Sequence, residues 1–246
     1  MNKKNTTKRQ IAVIFGGPSG EHEVSIKSAS QVIEALDRNK YDVIPIAITK
    51  SGFWLVGKEG EEYLEKNLEK ARQEGGVKND FFPKNRSKFP QDFPVIDLVL
   101  PIMHGTFGED GKLQGTLEML GLPYAFSGTL ASALAMNKNK TKIIAKDQDL
   151  KVAEDLVISK NEKYRAEKII DEIGFPMVVK PLELGSSVGI EMVNSEKELQ
   201  SAIEKALRYG KEVLLEKFVK GRELTVPIMG NDKPEALPVI EIISKV

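Results

Sequence analysis

The sequence predicts an α/β protein whose first layer is a parallel sheet, and three observations carry that expectation. Residues 11–15 (IAVIF) are a short, largely β-branched run that ends at Gly16-Gly17, as a buried strand does when it enters a tight turn. Ala29, Val32, Ile33 and Leu36 then recur at helical spacing, which predicts a helix closing near Asn39. Residues 43–48 restore strand character. Strand, helix, strand begins a parallel layer joined by right-handed crossovers.

Further along, residues 98–103 read as a buried strand that delivers His104-Gly105 at its C-terminal end. The stretch 75–94 is polar, with three prolines and no period, and reads as a surface excursion. Ala166, Ile169, Ile170 and Ile173 form an apolar helical stripe stopped by Gly174, with Pro176 beyond. Ser195 and Glu198 make a capping-box pattern ahead of Leu199, Ala202, Ile203, Ala206 and Leu207. Residues 177–179, 213–215, 224–228 and 237–243 read as strands.

Composition narrows the function classes. Lys+Arg and Asp+Glu both number 36, so there is no overall pull toward nucleic acid or anionic lipid, and any bound anion is held by local geometry. There is no cysteine and only two histidines, His22 and His104, which excludes thiolate metal sites and disfavours a histidine-rich zinc site. The basic N-terminus leads into an apolar run too short for a signal peptide, and no stretch is long enough to span a bilayer; a cytoplasmic protein is expected.

Two familiar nucleotide motifs are absent. A G-x-G-x-x-G fingerprint needs glycine where Phe15 stands, and no acidic residue closes the second strand. None of Gly57-Lys58, Gly111-Lys112 or Gly210-Lys211 is followed by Ser or Thr, so no Walker A loop is present.

Five other segments carry candidate chemistry, each with an ordinary structural explanation beside it. Glu21-His22-Glu23-Val24-Ser25 stands at the mouth of a helix, where acids complement the dipole; alternatively, one carboxylate holds the ammonium of an amino acid. Taken alone, that segment favours dipole complementation. His104 to Gly115 is a glycine-rich, acid-bearing turn where open α/β sheets place ligands, or an ordinary loop. Lys138 and Lys142 share a helix face, and such a run is a solvated surface unless partners converge on it. Val179-Lys180-Pro181 leads into Gly185-Ser186-Ser187-Val188-Gly189, a loop of backbone and hydroxyl donors suited to phosphates as well as to a hairpin. Finally, Glu216-Lys217-Phe218-Val219 offers a strand edge and an aromatic ring to an adenine, with Glu223 suited to ribose hydroxyls; by itself it is only a connector.

In this order and spacing the five segments resemble the D-alanine–D-alanine ligases of the ATP-grasp superfamily, across residues 11–243. The resemblance implies an N-terminal parallel α/β substrate domain (1–126), a central ATP-grasp domain (127–217) and the start of a C-terminal ATP-grasp domain (218–246). Glu21 then matches the acid near the first D-alanine's ammonium, His104 lines the same pocket, and Glu109 is a further acid there. Ser186 matches the loop serine that orients acid and substrate. Lys138 and Lys180 match the ATP phosphate ligands, with Ser187 in the phosphate loop. Glu216, Lys217 and Val219 match the adenine side, and Glu223 the ribose acid. Asn137 stands where relatives often carry Asp, and caps a helix equally well.

The resemblance further implies D-alanine and ATP as substrates, magnesium, and a homodimer through the first domain. The magnesium ligands and the tyrosine-bearing ω-loop of the family are expected beyond Val246, so the chain is expected to be a fragment that does not turn over alone, with strand edges exposed in its third domain. Relatives using D-lactate or D-serine as second substrate, a non-catalytic binding protein, and an interaction domain using residues 75–94 are the competing expectations.

Overall fold

A computed structural model describes residues 8–73, 94–185 and 188–243. Apart from Pro94, the polar stretch 75–94 lies outside the described residues, as do Ser186 and Ser187.

The chain opens with β1 (Arg9–Gly16), α1 (His22–Ala35), β2 (Tyr41–Ile48), β3 (Trp54–Val56), α2 (Lys58–Gln73), β4 (Leu98–Ile102) and α3 (Lys112–Met119). The strands form a sheet in the order β3-β2-β1-β4. β1 runs parallel to both β2 and β4, as expected, while β3 adds an antiparallel edge to β2. Alternation along β1 sends Val13 and Phe15 to a core shared with Ile26 and Ala29 of α1 and Leu64 and Ala71 of α2. Ala12 and Ile14 point the other way, onto Leu113 and Leu117 of α3. A strand covered on both faces needs apolar residues at every position, which is why residues 11–15 carry no polar alternation.

Helix α1 ends at Ala35, short of the expected Asn39. The Asp37 carboxylate accepts the Asn39 N–H at 2.9 Å, and its carbonyl accepts the N–H groups of Lys40 and Tyr41 at 3.0 Å each. That local turn competes with another helical turn and wins.

After α4 (Thr129–Met136) and α5 (Lys138–Asp147) comes a second sheet with different logic. It is built from β5 (Asp155–Ser159), α6 (Ala166–Ile173), β6 (Met177–Pro181), β7 (Glu191–Val193), α7 (Glu196–Ala206) and β8 (Glu212–Lys217). The strand order is β5-β8-β6-β7, and every pairing is antiparallel. Met177, Val179, Val213 and Leu215 face Ile169 and Ile173 of α6 and Leu199, Ile203 and Ala206 of α7. Because side chains alternate, Lys180 and Glu216 fall on the face away from those helices. β8 runs to Lys217, so Glu216 and Lys217 belong to a strand rather than to a connector.

The capping box ahead of α7 forms only in part. Ser195 is the N-cap residue but makes no side-chain cap bond, and Glu198 reaches past it to accept the Asn194 N–H at 2.8 Å.

Beyond β8 the chain makes β9 (Glu223–Thr225), β10 (Ile228–Met229), β11 (Glu235–Ala236) and β12 (Ile240–Ile242), shorter than the two strands expected there. They pair as two antiparallel ribbons, β9 with β12 and β10 with β11. Residues 217–243 are exposed apart from half-buried Leu237, including the apolar Leu224, Ile228, Met229 and Ile240. Two-stranded ribbons gain little stability without a covering layer.

The two sheets have separate cores, and the chain's single tryptophan, Trp54, packs in the first. Ile203→Ala, at a fully buried site in the second core, is expected to remove about 2–5 kcal/mol. In urea, the loss should appear in the far-ultraviolet circular dichroism transition and leave the Trp54 fluorescence midpoint in place. A common shift of both signals would mean that the sheets unfold as one unit.

Candidate functional site

In the first sheet, β1 continues through α1 to β2 on one side and pairs with β4 on the other. Such a divergence opens a crevice beyond the C-terminal ends of β1 and β4. Two serines hold its walls together. The Ser25 hydroxyl donates to the Ile102 carbonyl and accepts the Gly16 N–H at 2.7 Å, while the Ser19 hydroxyl donates to the His104 carbonyl at 3.0 Å.

Glu21 enters this crevice as the N-cap residue of α1, yet its side chain makes no cap bond. The carboxylate is buried and lies against Gly105, whose φ of +68° favours glycine: a Cβ there would fall 2.1 Å from Glu21 Oε2, so a side chain would strain the backbone and displace the carboxylate. The neighbouring Glu23, in the first helical turn, instead pairs with Lys50. The two acids of this helix mouth thus have different surroundings.

The His104 loop supplies the opposite wall. Glu109 Oε2 accepts the Gly105 N–H at 2.8 Å, and Oε1 lies 3.9 Å from His104 Nδ1. The other ring nitrogen of His104 meets the Ser28 hydroxyl at 3.1 Å. Glu109, followed by the charge of Glu21, pushes the imidazole up from its ordinary value, while His104 holds Glu109 below the usual carboxylate range. Within this loop Phe107 takes φ +69°, a strained conformation for a side-chain-bearing residue, fixed by its N–H bond to Asp110 Oδ2 at 3.0 Å. Gln114 secures the turn by donating to the Gly108 carbonyl at 2.8 Å. A cavity of about 400 Å³ opens beside His104 and Glu109, lined also by Met103, Gln114 and Phe126.

A cationic cluster stands on the open face of the second sheet. Asn137 caps α5 as expected, accepting the Lys140 N–H at 3.0 Å and donating to Glu183 at 2.7 Å. Lys138 follows, and its ammonium donates to the carbonyls of Pro181 (3.4 Å), Leu182 (3.2 Å) and Leu184 (2.5 Å). Burial, and then the charge of Lys180, push Lys138 below the ordinary lysine value. Lys180 pairs with Glu216 at 2.5 Å, and Lys142 pairs with the same carboxylate and with Asp155 at 3.2 Å. Burial opposes the charge on Glu216, but hydrogen bonds from the two lysines outweigh it and hold its carboxyl below the usual range. Lys142 is therefore no solvated surface: partners converge on it.

The two clusters meet at the segment after β6. Lys138 holds the carbonyls of residues 181, 182 and 184, and a Cβ on Gly185 would lie 3.7 Å from Glu21 Oε2. Glu21, His104, Glu109, Lys138, Lys180 and Glu216 are thereby brought into one neighbourhood. Lys217, Val219 and Glu223 stand on the exposed segment outside it: Lys217 pairs with Glu154 at 2.8 Å, Val219 is 68% exposed, and Glu223 begins ribbon strand β9. Among the described residues no hydrogen bond or ion pair ties Glu223 to the lysines. Sequence reasoning missed Ser19, Ser25, Asp155 and the burial of Lys142. The spacing of Lys142 from Lys138 was a signal, whereas nothing local marks a serine that bonds across the sheet.

Comparison with known proteins follows the same division. Residues 10–127 match the family model for the D-ala D-ala ligase N-terminus, and residues 144–246 match that for its C-terminus. A D-alanine–D-alanine ligase of Natranaerobius thermophilus is 40% identical over 247 residues, covering 96% of this chain and 67% of its own length. Among solved structures, the VanG D-Ala:D-Ser ligase of Enterococcus faecalis is 34% identical with a TM-score of 0.78, covering 96% of this chain and 70% of that one. The D-alanine–D-alanine ligase of Bacillus anthracis complexed with ATP is 32% identical with a TM-score of 0.70, covering 96% and 67%. The chain thus spans about two thirds of the length of these relatives.

The site's electrostatics give a test with two probes, since the chain has only two histidines. The raised His104 contributes stability that is full below the ordinary imidazole value and is lost as pH rises through its raised value. Glu109 contributes stability that is present above the ordinary carboxylate value and is lost as pH falls through its lowered value, so the pair is intact between these limits. His22, by contrast, is lowered, chiefly by burial. Nuclear magnetic resonance titration should show His104 with a midpoint above the ordinary imidazole value and His22 below it. Glu109→Gln should lower the His104 midpoint and leave His22 unmoved; an unmoved His104 would refute the pairing.

Proposed function

Since the chain belongs to the D-alanine–D-alanine ligase family, we propose that it forms the ATP- and first-amino-acid-binding part of an enzyme that joins two D-alanines at the expense of ATP. The reading rests above all on one observation: the segment clamped by Lys138 at Leu184 sets Gly185 against the Glu21 carboxylate. A phosphate held near Lys138 and Lys180 and an amino acid held near Glu21 and His104 would then share one crevice. Proximity of the two reactants supplies a large part of the rate in such a reaction.

In this proposal Glu21 holds the ammonium of the first D-alanine, with Ser186 orienting both partners, and the raised imidazole of His104, steadied by Glu109, offers positive charge to its carboxylate. Lys138 lends its positive charge to the phosphates from within its clamp, and Lys180 and Ser187 bind them. Glu216, Lys217 and Val219 form the adenine side, and Glu223 meets the ribose. The γ-phosphoryl group passes to the carboxylate of the first D-alanine, giving an acyl phosphate. The amine of a second D-alanine then attacks that carbonyl, and phosphate leaves from the tetrahedral intermediate. Cationic side chains offset the charge that develops. The dipeptide is a building block of peptidoglycan, and the proposed units are residues 1–126, 127–217 and 218–246.

Among the described residues no group of three or more histidines and carboxylates is placed to hold a metal ion. No helix among them is long and apolar enough to cross a membrane. The similarity to a D-Ala:D-Ser ligase favours D-serine as the alternative second substrate. A product assay offering D-alanine and D-serine separately to a chain extended to the length of its relatives distinguishes the two.

The amino-acid assignment has its own test. In a chain extended to the length of its relatives, Glu21→Gln should raise the KM for the first D-alanine by roughly tenfold or more, the loss expected for a hydrogen bond between charged groups. The KM for ATP should stay within about twofold. Collapse of ATP affinity with normal amino-acid dependence would place Glu21 in the nucleotide site instead.

A further inference from the structure

The lysine–carboxylate cluster on the second sheet contains more charge than phosphate binding needs. Lys146, Asp155, Lys142, Glu216 and Lys180 form an unbroken series of ion pairs in which cation and anion alternate. Asp155 takes Lys146 at 3.0 Å and Lys142 at 3.2 Å, and Glu216 takes Lys142 on one oxygen and Lys180 on the other. The inner members are well buried: the side chains of Lys142 and Asp155 are 10% and 6% exposed. Lys180, which the proposed function assigns to a phosphate, has its ammonium committed to Glu216 at 2.5 Å.

We propose that Lys142 is a positioning residue whose task is to hold Glu216 so that Lys180 can leave it for the nucleotide phosphates. The inference deepens the proposed function and rests on it. Its basis is the charge count. With Lys180 the series holds three cations and two carboxylates. Once Lys180 turns to a phosphate, two cations and two carboxylates remain, and Glu216 is still paired with Lys142. Remove Lys142, and Lys180 becomes the sole cation on a half-buried carboxylate. An unpaired buried charge is strongly unfavourable, so Lys180 would stay on Glu216. Asp155 fixes Lys142 from behind, and Lys138, whose charge acts on Lys180, favours the departure of Lys180 toward an anion.

The positions of these residues fit such an exchange. Glu216 and Lys180 stand on adjacent antiparallel strands, β8 and β6, with Glu216 opposite Val178 and Lys180 opposite Leu214. Asp155 lies opposite Glu216 on β5. All three project from the same face, and Lys142 descends on them from α5, one turn after Lys138. The phosphate ligand and the relay that frees it are thus carried by a single helix and three neighbouring strands.

The test is a double-mutant cycle read by calorimetric titration of the chain with ATP, ADP and adenosine. Lys142→Met should weaken ATP and ADP binding by roughly tenfold, yet change adenosine binding by less than about twofold. In a Glu216→Gln background, where Lys180 is no longer held, the same substitution should change ATP binding by less than about twofold. Lys142→Arg should retain most of the affinity. Asp155→Asn, which leaves Lys142 in place but loosens it, should give a smaller loss in the same direction and replaces Lys142→Met if that variant does not fold. Equal losses for adenosine and ATP, equal losses in both backgrounds, or no loss at all would each overturn the relay. A wild-type chain that binds adenosine but gains nothing from phosphates would overturn the phosphate assignment of Lys180 itself, and the relay with it.

Discussion

The site depends on the clamp between the Lys138 ammonium and the carbonyls of Pro181, Leu182 and Leu184. A buried ammonium needs acceptors, and a strand that has just ended leaves carbonyls that need donors. Each satisfies the other, and the clamp fixes the start of the β6–β7 connection against α5. That placement carries Gly185 to Glu21, so the same bonds that settle a local polar demand also join the two halves of the crevice.

The two sheets contribute by different geometry. In the parallel sheet β1 and β4 pair side by side while the helices that follow them, α1 and α3, cover opposite faces, and the candidate side chains stand in the turns at the strand ends: Glu21 after β1, His104 and Glu109 after β4. The antiparallel sheet has no such divergence. It offers a face instead, and the two-residue period of β6 and β8 puts Lys180 and Glu216 there while Val179 and Leu215 fill the core behind. Apolar packing on one side of a strand thus fixes the direction of the charged side chain next to it.

Electrostatics in the site is a matter of local pairs, in a chain whose acidic and basic residues are equal in number. Glu109 raises His104, two lysines lower Glu216, and burial with a neighbouring cation lowers Lys138. The charges that act in these shifts lie within a few ångströms, inside the range where screening by salt is weak, while burial is the larger cause at Lys138.

Read alone, the sequence determined what local pattern can determine. The apolar run at residues 11–15 and the helical recurrence from Ala29 to Leu36 specified a strand and a helix of the parallel layer. The order and spacing of five polar segments pointed to the family and to Glu21, His104, Lys138 and Lys180. It could not set the end of α1, where the Asp37 turn intervenes, nor complete the Ser195–Glu198 box, since these depend on which of two nearby acceptors a backbone N–H meets. Above all, it could not distinguish Lys142 from a solvated lysine. That decision belonged to the tertiary structure, because Asp155 and Glu216 lie 13 and 74 residues away and reach Lys142 only when β5 and β8 pair side by side.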